Sequence, residues 1–204
     1  EFEVDINGIS YKTADTSNYQ TFLVSIDELN VSNELNLKTL LNRFYFDIEI
    51  DAVCQTHYQT VQDDVNSALS LFGESVNIVI DEEDNYNIKL VDSKKNIESK
   101  SELKKYFNEA KLNLIILLVL LNSIIQSKEA GKQKILVLDD FITSLDASNR
   151  TFLIKYMLEK FQDTQILLLT HNVSFFNLIK FIINEIMKSS DKWVFANLFE
   201  INNV

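Results

Sequence analysis

Hydrophobic residues in this chain change rhythm part-way along. Up to residue 30 they alternate weakly with polar ones: Phe2, Val4 and Ile6, then Tyr19, Phe22, Val24 and Ile26. That period predicts short strands, joined by the polar stretch Lys12–Asn18. Ser32-Asn33 is placed to cap a short helix carrying Leu35, Leu37, Leu40 and Leu41, and Phe44–Ile50 alternates again. Gln55–Phe72 then carries Val61, Val65, Leu69 and Phe72 at spacings of three and four, the stripe of an amphipathic helix. Such a helix is compatible with the end of a longer coiled coil, though one face over so few turns does not define one. Val76–Ile80 and Tyr86–Val91 flank the polar Glu82-Glu83-Asp84-Asn85, a β-hairpin pattern. Lys94–Ser101 reads as a polar linker.

From Ser101 the elements are cleaner. A short helical turn is expected over Ser101–Tyr106 and a long helix over Asn108–Ser127. Then come a strand at Ile135–Leu138, a helix at Ala147–Lys160, a strand at Ile166–Leu169, a helix at Val173–Met187 and a last strand at Trp193–Ile201. Strands alternating with helices predict an α/β fold: a parallel sheet flanked by helices, with the two four-residue apolar runs in central positions. Residues 1–100 form an α+β segment with a β-hairpin before it, and residues 101–204 form the α/β lobe.

Charge supports that division. Residues 1–100 hold 19 acids and 7 bases, against 11 acids and 12 bases in residues 101–204. The acidic first half should repel a phosphate backbone, which argues against direct DNA gripping there. Cys54 is the only cysteine, so no internal disulfide is possible, and a reducing, cytoplasmic setting is expected. A Cys/His zinc site is disfavoured for the same reason. Leu112–Ile125 is very apolar, but Asn113, Asn122 and Ser123 interrupt it, and it falls short of the ~20 residues that cross a bilayer. It is expected to be a buried helix, with no membrane partner. The chain opens on Glu1-Phe2 with no visible signal segment, which suggests a fragment or processed product.

The chemistry-bearing residues lie at the ends of the predicted strands. Ile135–Leu138 runs directly into Asp139-Asp140. There one carboxylate is placed to hold Mg²⁺ and the other to orient or deprotonate a water, unless both are simply solvated acids. Ile166–Leu169 runs into Thr170-His171, 32 positions after Asp139. A histidine so placed either donates to a phosphate oxygen or is structural. Asp146 of Ser144-Leu145-Asp146 is also a good N-cap for the helix at Ala147. Asn108 caps the long helix, and Glu109 suits its positive end, where free N–H groups also attract anions.

In order and spacing, Asn108 to Asn172 resembles the C-terminal lobe of ABC-type ATPases, in particular the SMC/RecN/RecF-like branch of DNA maintenance and phage defence. ILVLDD is similar to a Walker B strand, with Asp139 at the Mg²⁺-side acid and Asp140 where the catalytic glutamate stands. Ser144 and Asp146 fall at the D-loop and His171 at the switch histidine. Asn108, Glu109, Ala110 and Lys111 resemble a divergent signature motif, with Asn108 replacing serine and Glu109-Ala110 replacing a glycine pair. Asp140 is one methylene shorter than glutamate. No G-x-x-x-x-G-K-[ST] loop occurs in these 204 residues, so the backbone cradle and lysine for the β- and γ-phosphates must come from elsewhere.

The resemblance implies ATP and Mg²⁺ as cofactors and a P-loop-bearing N-terminal lobe as partner, from the same polypeptide or a second chain. It also implies head-to-head homodimers sandwiching ATP, in-line attack of water on the γ-phosphate, and output to DNA or an effector nuclease. Asp140 and the divergent signature leave a second expectation, an ATP-sensing dimerisation scaffold with little hydrolysis that regulates such an effector. A third, metal-dependent cleavage by this chain itself, finds only the two adjacent acids in its favour.

Overall fold

The computed structural model describes residues 3–6, 9–12, 18–25, 33–46, 48–141, 145 and 147–197, and the side chains of Tyr45, Ala147 and residues up to 17 lie outside the description. In chain order, β1 (Glu3–Ile6) and β2 (Ile9–Lys12) form an antiparallel hairpin, followed by β3 (Tyr19–Ser25) and β4 (Leu35–Asn36). Helix α1 (Leu37–Arg43) starts later than the Ser32-Asn33 cap implied. Leu35 is in a strand, and Asn36, extended at φ −139°, accepts the Thr39 N–H at 2.9 Å as the true N-cap. Among the described residues of the alternating stretch Phe44–Ile50, only β5 (Tyr45–Phe46) pairs as a strand, and the chain turns helical at α2 (Ile50–Ala52). A π-helical turn, Val53–His57, leads into α3 (Tyr58–Leu71), which buries the expected Val61, Val65 and Leu69.

Next come β6 (Val76–Asp81), β7 (Asn87–Asp92) and β8 (Ile97–Ser99), in an antiparallel sheet ordered β4-β7-β6 with β8 also on β7. Part of the expected linker Lys94–Ser101 is therefore strand, because Ile97–Ser99 finds a partner in Leu90–Asp92. The free edge of β6 is closed by side chains of α3. Asn66 accepts the Ile78 N–H at 2.7 Å and donates to the Ile78 carbonyl at 3.0 Å, and Gln62 accepts the Ile80 N–H at 2.8 Å. Amides that mimic a neighbouring strand leave no ladder for another chain to join.

Helix α4 (Leu103–Tyr106) precedes α5 (Glu109–Gln126), which is apolar on every face and buried along nearly its whole length. By length and composition it is apolar enough to cross a membrane, but here it is the axis of the core. Two of its interrupting polar residues, Asn122 and Ser123, are bonded internally. Asn122 donates to the Leu118 carbonyl and accepts the Tyr156 hydroxyl at 2.8 Å, and Ser123 donates to the Val119 carbonyl. Along the outside, α3 packs on α5 and Asp64 accepts from Gln126 at 3.1 Å.

The remaining elements are β9 (Gln133–Asp139), α6 (Ala147–Lys160), β10 (Thr164–Leu169) and α7 (Val173–Phe181), which runs on into a π-helical turn at Ile182–Ile186. Strands β10, β9 and β3 are mutually parallel, and the sheet order is β10-β9-β3-β5 with β5 antiparallel. The α/β parallel sheet expected from the sequence is present, but only β9 of the two apolar runs is central. Among the described residues β10 is an edge strand.

The expected final strand, Trp193–Ile201, is absent over Trp193–Ala196 and Asn197, and the rest of it lies outside the described residues. Phe195 instead packs edge-on against Phe176 of α7, and the Lys180 ammonium lies 5.5 Å from both rings, so aromatic and cation–π contacts replace a ladder.

The two faces of the parallel sheet differ. Phe22 and Val24 of β3 and Leu136 and Leu138 of β9 are fully buried in one cluster with α5, Leu153 of α6 and Phe175 of α7. On the opposite face, pairing puts Leu23, Val137 and Leu167 in one row, and Leu23 and Leu167 are 38% and 48% exposed. Asp139 shares that less covered face, one step further along β9 and in register with Leu169 and Ser25.

Candidate active site at the ends of two parallel strands

Strand β9 ends at Asp139, and the next residue leaves the sheet in the left-handed region, with Asp140 at φ +45°. An aspartate there costs on the order of 1 kcal/mol, so its surroundings must hold it. They do so from β10. The Asp140 N–H donates to the Leu169 carbonyl at 3.0 Å. The His171 N–H donates to Asp140 Oδ1 at 3.2 Å, and His171 Nδ1 is bonded to Asp140 Oδ2. Backbone and side chain thus lock one acid to one histidine across the C-terminal ends of neighbouring strands, where open α/β sheets place their chemistry.

Burial differs within the pair: the Asp140 side chain is 20% exposed and the His171 ring 79%. Burial pushes the Asp140 carboxyl up, but bonds from the His171 ring, the Thr170 hydroxyl and the His171 N–H outweigh it and hold the acid below its ordinary range. Asp140 is therefore a firmly ionised acceptor and a weaker base than a free aspartate. Thr170 and Asn172, which were not among the site residues expected from the sequence, complete the corner. Thr170 Oγ1 accepts the Asn172 N–H at 3.1 Å, and Asn172 Oδ1 caps α7 by accepting the Phe175 N–H at 2.9 Å. The signal for Asn172 was available: an Asn directly before an apolar helical run is a standard cap.

Of the other sequence-predicted residues, Asp139 stands beside the pair on the less covered face, and no hydrogen bond among the described residues joins its side chain to either member. Asn108 caps α5, its Oδ1 accepting the Lys111 N–H at 2.9 Å, and Glu109 lies exposed in the first turn beside Ala110. Lys111 Nζ is 2.6 Å from Glu74, with both side chains less than one-fifth exposed. Among the described residues, no hydrogen bond or ion pair links this turn to Asp139, Asp140 or His171. Ser144 and Asp146 lie outside the described residues. Leu145 between them is buried, and its carbonyl accepts from Arg150 Nε at 2.6 Å.

No group of three or more His, Cys, Asp or Glu side chains that could hold a metal occurs among the described residues. Asp139 offers one carboxylate at the end of β9, and Mg²⁺ in general takes one or two carboxylates together with waters and substrate phosphates. The convergent acids and histidines of a self-sufficient metal nuclease are not found among the described residues.

No family model and no curated protein matches this chain. Among solved structures it is similar to the SMC head domain from Thermotoga maritima, at 15% identity and a TM-score of 0.42, covering 74% of this chain and 46% of that one. It is also similar to an SMC head bound to the C-winged helix domain of ScpA, at 9% identity and a TM-score of 0.49, covering 75% and 47%. The chain thus spans just under half the length of these two structures.

Proposed function

We propose that this chain is the C-terminal part of an ABC/SMC-type ATPase head, completing an ATP site with a P-loop lobe supplied by the same polypeptide or a second chain. The observation that carries the reading is the Asp140–His171 couple, held at the ends of β9 and β10 with Asp139 at its side. Two further features support the missing partner. The row Leu23–Val137–Leu167 and Asp139 share the less covered sheet face, so a lobe seated on that row comes up to Asp139. Among the described residues the outer edge of β10 carries no counterpart of the amides that close β6 and pairs with no strand, which leaves room there for one from a partner lobe.

In this reading Asp139 holds Mg²⁺, which when bound neutralises charge on the β- and γ-phosphates. Asp140 fixes the His171 ring through Nδ1, so Nε2 faces outward. Nε2 donates to a phosphate oxygen when the ring is doubly protonated, with the Asp140 carboxylate balancing its charge. Asp140 also presents its remaining lone pairs to the attacking water. The turn Asn108–Lys111 faces the nucleotide of a second head in a homodimer, and Ser144 and Asp146 serve as its D-loop residues. Head closure and opening then act on DNA or on an attached effector such as a nuclease.

A specific observation favours a second reading, an ATP-dependent dimerisation scaffold with little turnover. Both Asp140 oxygens already accept from His171, and the acid is held below its ordinary range, which weakens it as a base. The test is ATP hydrolysis by the intact protein. Mg²⁺-dependent turnover that falls about 100-fold in Asp140→Asn supports the ATPase, since general-base or water-orienting groups carry effects of that size. ATP-dependent dimers without phosphate release support the scaffold. Neither binding nor release of nucleotide defeats both.

A further inference from the structure

We infer that Glu74 is a positioning residue for the first turn of α5, acting through Lys111, and that Lys111 is an anchor for that turn and makes no contact with phosphate. The inference rests on the proposed ATPase head, in which this turn meets nucleotide.

Glu74 is aimed at α5 by the way α3 ends. Phe72 closes the helix, and Gly73 follows at φ +74° with nothing within 4 Å of a built Cβ, so the left-handed turn is a backbone requirement and not a steric one. The Gly73 N–H donates to the Ser70 carbonyl and the Glu74 N–H to the Leu69 carbonyl, both at 3.0 Å, the paired bonds of a Schellman stop. The reversal sends Glu74 back across the start of α5, and its carboxylate meets Lys111 Nζ at 2.6 Å. Most ion pairs among the described residues have at least one side chain more than half exposed, as in Lys38–Asp51 and Lys128–Asp163. Glu74 and Lys111 are 17% and 19% exposed, so this pair is largely withdrawn from solvent and breaking it strands a charge.

The opposite end of the same helix packing is tied by Asp64 and Gln126. The α3 segment therefore ties to α5 near both ends of α5, and Val61, Val65, Ala68 and Leu69 form the buried face of α3. The N-terminal grip falls within the turn that faces nucleotide in the proposed function. A lysine committed in this way is not free to follow a phosphate, and the orientation of α3 sets the orientation of the turn.

The experiment compares wild type, Glu74→Gln, Lys111→Glu and the charge-swapped Glu74→Lys/Lys111→Glu in the intact protein, reading ATP-dependent dimerisation and the kcat and KM of hydrolysis. A positioning role predicts at least a tenfold loss of ATP-dependent dimerisation in each single variant, KM for ATP within about threefold, and recovery to within threefold of wild type in the swap. If Lys111 contacts phosphate, Glu74→Gln stays near wild type while both variants carrying Lys111→Glu fail alike, and the inference is overturned. Glu74→Gln and the swap both matching wild type overturns it equally. A wild-type protein that neither binds ATP nor dimerises with it overturns the proposed function, and the role of Glu74 with it.

Discussion

Asp140 and His171, 31 positions apart, are joined side chain to side chain and side chain to backbone at the ends of two adjacent parallel strands. Neither is placed by its own strand alone. Asp140 has already left β9 when it meets the histidine; its N–H donates to the Leu169 carbonyl, and its carboxylate accepts from the His171 N–H and ring. Replacing His171 by Ala should therefore disturb the acid as well as remove the imidazole. The expected result is loss of turnover in the intact protein with ATP binding retained within about tenfold, measured by steady-state hydrolysis and equilibrium nucleotide binding.

The row Leu23–Val137–Leu167 tests whether the less covered sheet face is covered in the intact protein. A residue that stays 48% exposed tolerates a charge with a change within about 0.5 kcal/mol. A residue buried under a second lobe does not. Leu167→Lys in the intact protein is expected to cost about 2–3 kcal/mol in denaturant unfolding, the scale of burying a leucine.

Asp92 gives the stability a defined acid limb. It is fully buried in β7, and its Oδ1 accepts from the Ser75 hydroxyl at 2.9 Å and from the Lys94 and Lys95 N–H groups at 3.1 and 3.3 Å. Burial raises its carboxyl, but those bonds outweigh it and hold the folded value below the ordinary one. A depressed folded value means stability that is complete above the unfolded pKa of about 3.9 and is lost as pH falls through the folded value. Asp92→Asn should cost about 1–3 kcal/mol at neutral pH and flatten the fall in stability below about pH 4, followed by denaturant titration across pH.

Gly73 carries a simpler expectation. At φ +74° an alanine is strained, although nothing obstructs its methyl group. Gly73→Ala should destabilise by about 1 kcal/mol, read from the shift in denaturant midpoint at unchanged slope.

Much of this was legible in the chain. Ile135–Leu138 and the helix Ala147–Lys160 could be read because an unbroken apolar run and a sharp polar boundary leave few alternatives, and the fold bears both out. The spacing that put His171 after a second apolar run correctly brought it to Asp140. The edge position that β10 takes among the described residues was not readable. Leu167 and Leu168 are the same residue type, and only pairing shows that one faces the core and the other the less covered face. Nor could the alternation of Trp193–Ile201 reveal that Phe195 would pack against Phe176 and Lys180. The Glu74–Lys111 pair joins the start of α5 to the glycine turn that ends α3, a contact that no local pattern of residues reveals. Asn36 supplanted Ser32-Asn33 as cap because Leu35 was drawn into a strand by Ile88, a partner more than fifty residues on.

The central claim is that Asp140 and His171 act as one unit on one bound nucleotide. A double-mutant cycle on ATP turnover by the intact protein tests it most directly, using Asp140→Asn, His171→Ala and the two together. Residues that work as a unit lose their effect together, so the double variant should be no slower than the worse single variant, to within about threefold. Losses that multiply, or single variants that turn over ATP at the wild-type rate, would contradict the account.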